Sequence, residues 1–426
     1  MKHIYTSLLV VLSLSLQAQV EDYVVSMQGD YANQVFFDME TGDVSSISQD
    51  SWDIAFDLSA DGTGIVFNEG ETRSASTPRI RAFLVGSDFD ATTSAPTDDQ
   101  EILNDEKSWS EGAFNLVADD TDPLDVGWGM LDEATQTVTG TRVFIIQLRD
   151  NSYKKIEFTS LSGGVFSGRH ANLDGTGETS FSVDKTAYPG KRLAYYKIST
   201  DEVLDLEPAE WDLKFTRYYQ FADQFGQPQQ YPFTGILHND ATVDVAEARN
   251  VDIDNVDFND FAEDFSDEID IIGADWKFLE SFLIGFEIEE DLCYFVRSLD
   301  DGTVYKLIFD DFTGSDLGET TLTLENVGTL SATSELPSSL SSAFIFPNPA
   351  FDQADLRIEL NRALPNNGEA QLAIFDQLGR LLTNEQVELR PGVNQFDLPV
   401  ASLTSGHYLV RLNWGTEHYT QSLFVR

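Results

Sequence analysis

Trp52-Asp53-Ile54-Ala55-Phe56 returns 159 residues later as Trp211-Asp212-Leu213-Lys214-Phe215, and its approach returns with it. Val35-Phe36-Phe37-Asp38-Met39 aligns with Ala194-Tyr195-Tyr196-Lys197-Ile198, and Thr41 and Val44 align with Thr200 and Val203. Strand alternation places Trp52, Ile54, Phe56 and Leu58 on one side and Asp53, Ala55 and Asp57 on the other. Trp211, Leu213 and Phe215 follow the same rule. A large indole followed by apolar residues on its own face reads as core, so the two copies predict one β-rich module used twice.

Two more blocks agree. Arg142 to Leu148, a turn at Asp150-Asn151-Ser152 and Tyr153 to Phe158 read as a hairpin. Its counterpart is Leu292 to Leu299, Asp300-Asp301-Gly302 and Val304 to Phe309, the second strands matching at an offset of 151. Gly177 to Val183 then aligns with Gly318 to Leu324 at an offset of 141, so the second copy has the shorter connections. Residues 86–125, rich in Asp, Thr, Ser and Pro, read as long loops. The acidic run from Asp252 to Asp270 interleaves carboxylates with Val, Phe and Ile but has no glycine to fold it round a calcium ion, and reads as a solvated face.

The chain has 426 residues, 73 acidic against 26 basic, for a net charge of −47. Such a surface repels phosphate backbones and anionic lipid, which excludes nucleic acid as a partner class. Only nine acidic and six basic residues fall in 340–426, so the excess belongs to the rest of the chain. Lys2 and His3 precede an apolar run from Ile4 to Leu16 with small residues around Ala18, the pattern of a signal peptide over 1–18. No later stretch is long enough for a transmembrane helix. The lone cysteine, Cys293, reads as a buried strand residue and has no partner for a disulfide.

Residues 331–342 form a Ser-rich linker, beyond which short strands around Leu356, Leu372, Gln395, Tyr408 and Leu423 are punctuated by glycines in the manner of a small β-sandwich. The segment from 343 carries Phe346-Pro347-Asn348-Pro349-Ala350, Ile374-Phe375-Asp376-Gln377-Leu378-Gly379-Arg380, Gly392-Val393-Asn394 and Leu403-Thr404-Ser405-Gly406-His407-Tyr408. These motifs resemble the type A sorting domain of the type IX secretion system of Bacteroidota. The resemblance implies that residues 343–426 engage that machinery, and that the protein passes through the periplasm to be secreted or displayed on the outer surface.

The aromatic strand and turn before each Trp-Asp motif, with the closing hairpins, resemble the HmuY family. The expected organisation is therefore mainly β: two tandem antiparallel modules at 19–187 and 188–330, then the sandwich. The resemblance brings haem into view, which takes histidine or methionine ligands. Where that family's histidine would fall, this chain has Gln136. Met130, His170 and His238 are the remaining candidate ligands, with Met130 read beside the core and His170 in an exposed loop. No Gly-x-Ser-x-Gly elbow, His-Glu-x-x-His or phosphate loop occurs. The sequence thus favours a secreted, non-enzymatic binding protein with a small-molecule, haem or glycan ligand. A haemophore is one alternative, and a polysaccharide hydrolase using paired carboxylates is another.

Overall fold

The computed structural model describes residues 20–426 except 75, 106, 225–226, 282–284, 330–338, 347–349, 351–352, 363, 365–367, 377–379, 404–405, 415–416 and 426. The expected signal peptide and most of the expected linker lie outside the described residues. The described residues up to 329 form one compact unit and those from 339 onward another.

The first unit is built from two runs of strands. The first comprises β1 (Val20–Ser26), β2 (Asn33–Phe37), β3 (Val44–Ser48), β4 (Ile54–Asp57), β5 (Ile65–Phe67), β6 (Arg81–Gly86), β7 (Glu101–Ile102), β8 (Gly129–Asp132), β9 (Thr137–Gly140), β10 (Val143–Gln147), β11 (Tyr153–Ser162) and β12 (Val165–Asn172). The second comprises β13 (Thr179–Asp184), β14 (Leu193–Lys197), β15 (Glu202–Leu204), β16 (Leu213–Gln224), β17 (Gln227–His238), β18 (Val243–Arg249), β19 (Lys277–Ser281), β20 (Gly285–Ile288), β21 (Leu292–Ser298), β22 (Thr303–Phe312) and β23 (Glu319–Thr329). Both expected hairpins are present, as β10–β11 and β21–β22.

The strands do not sort by run. One large sheet has the order β13-β12-β11-β10-β6, extended by β7 and by the β8–β9 pair, and another has the order β1-β23-β22-β21-β18. The opening strand of each run thus sits beside the closing strand of the other. The same exchange governs two four-stranded sheets, in which β14 lies against β4 and β2 lies against β16. Residues 19–187 and 188–330, expected as successive modules, therefore share their sheets. The second run restarts at Thr179, since β13 leads through a short turn into β14 as β1 leads into β2. The expected alignment of 177–183 with 318–324 consequently joins strands at different sheet positions: β13 is an edge strand, whereas β23 lies between β1 and β22.

Alternation along the exchanged strands produces three apolar layers. Ile54, Phe56, Ala194 and Tyr196 pack with Trp128, Phe144 and Phe158 of the first large sheet and its loops. Val35, Phe37, Leu213 and Phe215 pack with Tyr294, Leu307 and Leu322 of the second. Residues of opposite parity, Phe36, Ala55, Val66, Leu193, Tyr195 and Leu237, meet between the two four-stranded sheets. Trp52 and Trp211 belong to this middle layer, not to the layer of Ile54 and Leu213. The expectation that each indole shares the face of its following strand fails because β4 and β16 begin two residues after their tryptophans, and the alternation does not reach back across the bend.

The surroundings of the two indoles correspond. Trp52 meets Tyr195 edge-on at 5.1 Å, and Trp211 meets Phe36 at 5.2 Å. The aspartates explain the other half of the motif. Asp53 accepts the backbone N–H of Ile198 at 2.8 Å and Asp212 that of Met39 at 2.9 Å, each carboxylate fixing the end of a strand from the other run. Burial raises both carboxyls, Asp212 to about 6.

Loop residues 86–125 contribute to these layers as well, with Trp109 in the middle and Phe114 in the first. The acidic segment after Val251 turns Ile253, Val256, Phe258, Phe261 and Phe265 onto the outer face of the second large sheet, over buried Cys293 and Phe295. Among the described residues, no group of three or more His, Cys, Asp or Glu side chains is placed to hold a metal ion.

The C-terminal unit is a two-sheet sandwich of β24 (Leu340–Phe346), β25 (Ala354–Leu360), β26 (Glu369–Asp376), β27 (Leu381–Glu388), β28 (Gly392–Leu398), β29 (Gly406–Trp414) and β30 (Glu417–Val425). Their orders are β24-β25-β28 and β27-β26-β29-β30. The five expected strands are all present, and β24 starts inside the expected linker because buried Leu340 pairs with Leu360.

Candidate ligand-binding cleft

Met130, His170 and His238 lie on β8, β12 and β17. His170, expected in an exposed loop, is a strand residue only 2% exposed, and its Nε2 lies 3.0 Å from the Tyr196 hydroxyl and 2.9 Å from Asp201. Burial lowers its pKa. His238 is wholly enclosed, neither ring nitrogen has a hydrogen-bond partner among the described residues, and burial depresses it to about 3. Its carbonyl accepts the Trp109 indole N–H at 2.9 Å. Met130 is half-buried and bridges to Asp125 through the backbone.

None of these three lines the cleft that the exchange creates. Beyond Phe215, β16 and β17 run on as a long hairpin past the edge of β2, and the β19–β20 hairpin rises beside them. A cavity of about 430 Å³ opens there, with Tyr31, Tyr231, Phe233, Phe286 and Phe312 among its walls. Tyr31 stacks on Phe312 at 6.2 Å and Phe286 meets Phe312 edge-on at 5.0 Å. Tyr231, Leu279 and Phe286 are exposed, and Phe221 and Phe278 on the same hairpins are too, an apolar rim of the kind that marks interaction sites.

Tyr31 reaches the cleft through strained backbone. Gln28, Asp30 and Tyr31 have φ of 63°, 63° and 56°, a left-handed region that costs a non-glycine residue free energy. The turn is held because Asp30 N–H donates to Ser315 at 2.7 Å and Met27 N–H to Gly318 at 2.8 Å. Gly318 is required there, since a Cβ would lie 2.1 Å from the Gln28 carbonyl oxygen.

Three cations, Arg73, Arg217 and Lys277, share the walls with one carboxylate, Glu71. Lys277 Nζ donates to the Thr234 carbonyl at 2.7 Å and lies over the rings of Trp276 and Phe312 at 3.9 and 4.8 Å. Burial lowers its ammonium to about 7. Arg217 donates to the Glu71 carbonyl at 2.7 Å, has no partner for Nε among the described residues, and is lowered by burial. On a chain of net charge −47 this is a local reversal of sign, and it joins a flat aromatic surface to an anion-attracting one. Sequence alone offered one signal for it, a lysine directly after a buried tryptophan in Trp276-Lys277.

Comparison with known proteins adds two domain matches. Residues 344–426 match the secretion system C-terminal sorting domain. The sorting domain marks a protein exported by the type IX secretion system to the cell surface or the medium, and no described helix is long and apolar enough to cross a membrane. Residues 30–172 match the HmuY protein, from the strained turn to the last residue of β12. Within that match, β2 packs in the second layer system and β4 to β12 in the first. No curated protein matches the chain. Among solved structures, Escherichia coli alpha-2-macroglobulin activated by porcine elastase aligns at 9% identity over 96% of this chain and 34% of that one, with a TM-score of 0.16. The chain spans about a third of that structure's length, and the likeness carries no argument.

Proposed function

We propose that residues 20–329 are a non-enzymatic carrier, delivered outside the cell by the sorting domain, that binds a flat, apolar, anionic small molecule in the aromatic cleft. The observation that carries this reading is the gathering of Arg73, Arg217 and Lys277 around five aromatic rings on an otherwise acidic protein. We also infer that β13 to β23 form a second HmuY-like module. Support comes from the parallel sheet orders and the corresponding Trp-Asp contacts.

Haem, a planar macrocycle with two carboxylates, is one ligand of this class, and the HmuY match favours it. No His, Met or Cys is among the cleft's described lining, and its side chains able to ligate iron are the phenols Tyr31 and Tyr231. These two would hold the iron, while Arg217 and Lys277 would meet the carboxylates.

The test is titration with hemin and with iron-free protoporphyrin, read by tryptophan quenching and the Soret band. Quenching by both, weakened at least tenfold in Arg217→Ala and in Lys277→Met, supports the cleft. A Soret shift lost in Tyr31→Phe or Tyr231→Phe assigns the iron ligand. Affinity unchanged by all four substitutions refutes the site.

A further inference from the structure

Lys214 interrupts the middle layer. It is 2% exposed, and its Nζ lies 5.3 Å from the ring centre of Phe36, 5.2 Å from Trp52, 5.4 Å from Trp109 and 5.6 Å from Tyr195. No hydrogen bond to this ammonium is present among the described residues. Beside it is a separate cavity of about 50 Å³, lined also by Gln34, Trp52, Asn68, Trp109 and Thr216. A water needs only about 10–15 Å³ of such space, so roughly three or four heavy atoms fit.

The correspondence of the two runs shows that packing does not require a lysine here. The equivalent of Lys214 is Ala55, which is fully buried in the same layer, and the equivalent of Tyr195 is Phe36. The second run has therefore added an amine and a phenol to one apolar layer, and the Tyr195 hydroxyl also has no hydrogen-bond partner among the described residues. Neighbouring amides are occupied with one another. Gln34 donates to Asn68 at 3.1 Å and accepts from Trp52 at 3.2 Å, and Asn68 donates to the carbonyls of Gln49 and Trp52. Ring faces carry negative charge density and disfavour a small anion beside the amine, whereas a neutral carbonyl meets no such penalty.

We propose that Lys214 is a covalent capture site for small aldehydes, its amine condensing with a carbonyl placed in this cavity. The Nζ lone pair adds to the carbonyl carbon, the amine's two protons leave with the carbonyl oxygen as water, and a C=N bond remains. Burial supplies the free base: the ammonium is lowered to about 8, opposed by the nearby charge of Glu207, while Glu69, Asp105 and Arg217 are the other charged residues on the cavity wall. At pH 7 this leaves roughly 200-fold more free amine than at an ordinary lysine of pKa about 10.4.

The experiment is reductive trapping of the folded full chain with propanal and sodium cyanoborohydride at pH 7, followed by peptide mass mapping. Labelling at Lys214 at least tenfold faster than at exposed Lys107, lost in Lys214→Ala and slowed in Tyr195→Phe, is the expected result. Both substitutions restore the residue type of the equivalent position, so folding is preserved and circular dichroism checks it. Labelling of Lys214 no faster than Lys107, or only in denaturant, overturns the assignment.

Discussion

Phe37→Ala and Tyr196→Ala are equivalent substitutions, 159 residues apart, and the exchange predicts that each weakens the half of the unit contributed by the other run. Phe37 is fully buried, packs edge-on against Tyr23 at 5.1 Å, and lies in the layer of Leu213, Tyr294 and Leu322. Removing a fully buried phenylalanine costs about 3–5 kcal/mol, including the cavity left behind. About 4 kcal/mol lowers hydrogen-exchange protection close to a thousandfold in whatever opens with that layer. Native-state exchange read by mass spectrometry should therefore show the loss in β16 to β23, with β10 to β12 nearly unchanged. Tyr196, buried against Phe181 at 4.7 Å in the other layer, should give the reverse, loss in β4 to β12 with β21 to β23 retained. If Phe37→Ala instead strips protection from β10 to β12, the reciprocal packing is refuted.

His238, depressed to about 3, has a folded pKa below its unfolded value near 6.5, so its contribution is present above pH 6.5 and is lost as pH falls towards 3. Urea midpoints between pH 7 and 4 should fall more steeply in the native chain than in His238→Leu, the full effect approaching roughly 5 kcal/mol at the acid limit. Asp212, raised to about 6, has the opposite sign: its contribution is fully present below the unfolded value near 4 and is lost as pH rises through 6. Asp212→Asn should flatten the stability profile in that window, while Asp212→Ala should lose about 1–3 kcal/mol by leaving the Met39 N–H unsatisfied. Lys277 is lowered to about 7, so its contribution is present above the unfolded value near 10.4 and lost as pH falls towards 7; Lys277→Met should raise the urea midpoint at pH 7 relative to the native chain.

Much of this architecture was legible in the residues. The Trp-Asp pairs, both hairpins and the buried setting of Cys293 follow from alternation and turn chemistry, because those signals are local. Which strand lies beside which is not local: β2 reads the same whether it faces β4 or β16, and the exchange is decided by contacts between residues far apart in the chain. Trp52 falls on the other face because alternation does not carry across a bend that no glycine or proline marks. Gly168, two residues before His170, reads as a loop signal, yet that glycine is a strand residue whose missing Cβ admits the Phe181 ring. The cleft was hidden for another reason, since its walls come from a tight turn at Tyr31 and two hairpins far apart in sequence, and its sign is visible only against the charge of the whole chain.

The pairing of β1 with β23 sets an order of events. Val20 to Ser26 find their neighbour only when Glu319 to Glu325 are available, so the first described strand of this unit waits for the last, with about 300 residues between. Until then Val25 and the flank of β23 are an open seam at which chains can zip onto one another. Once the seam closes, every residue of β1 is tied to a partner 293 to 305 positions away, so the first and last described strands of the unit can no longer fray independently.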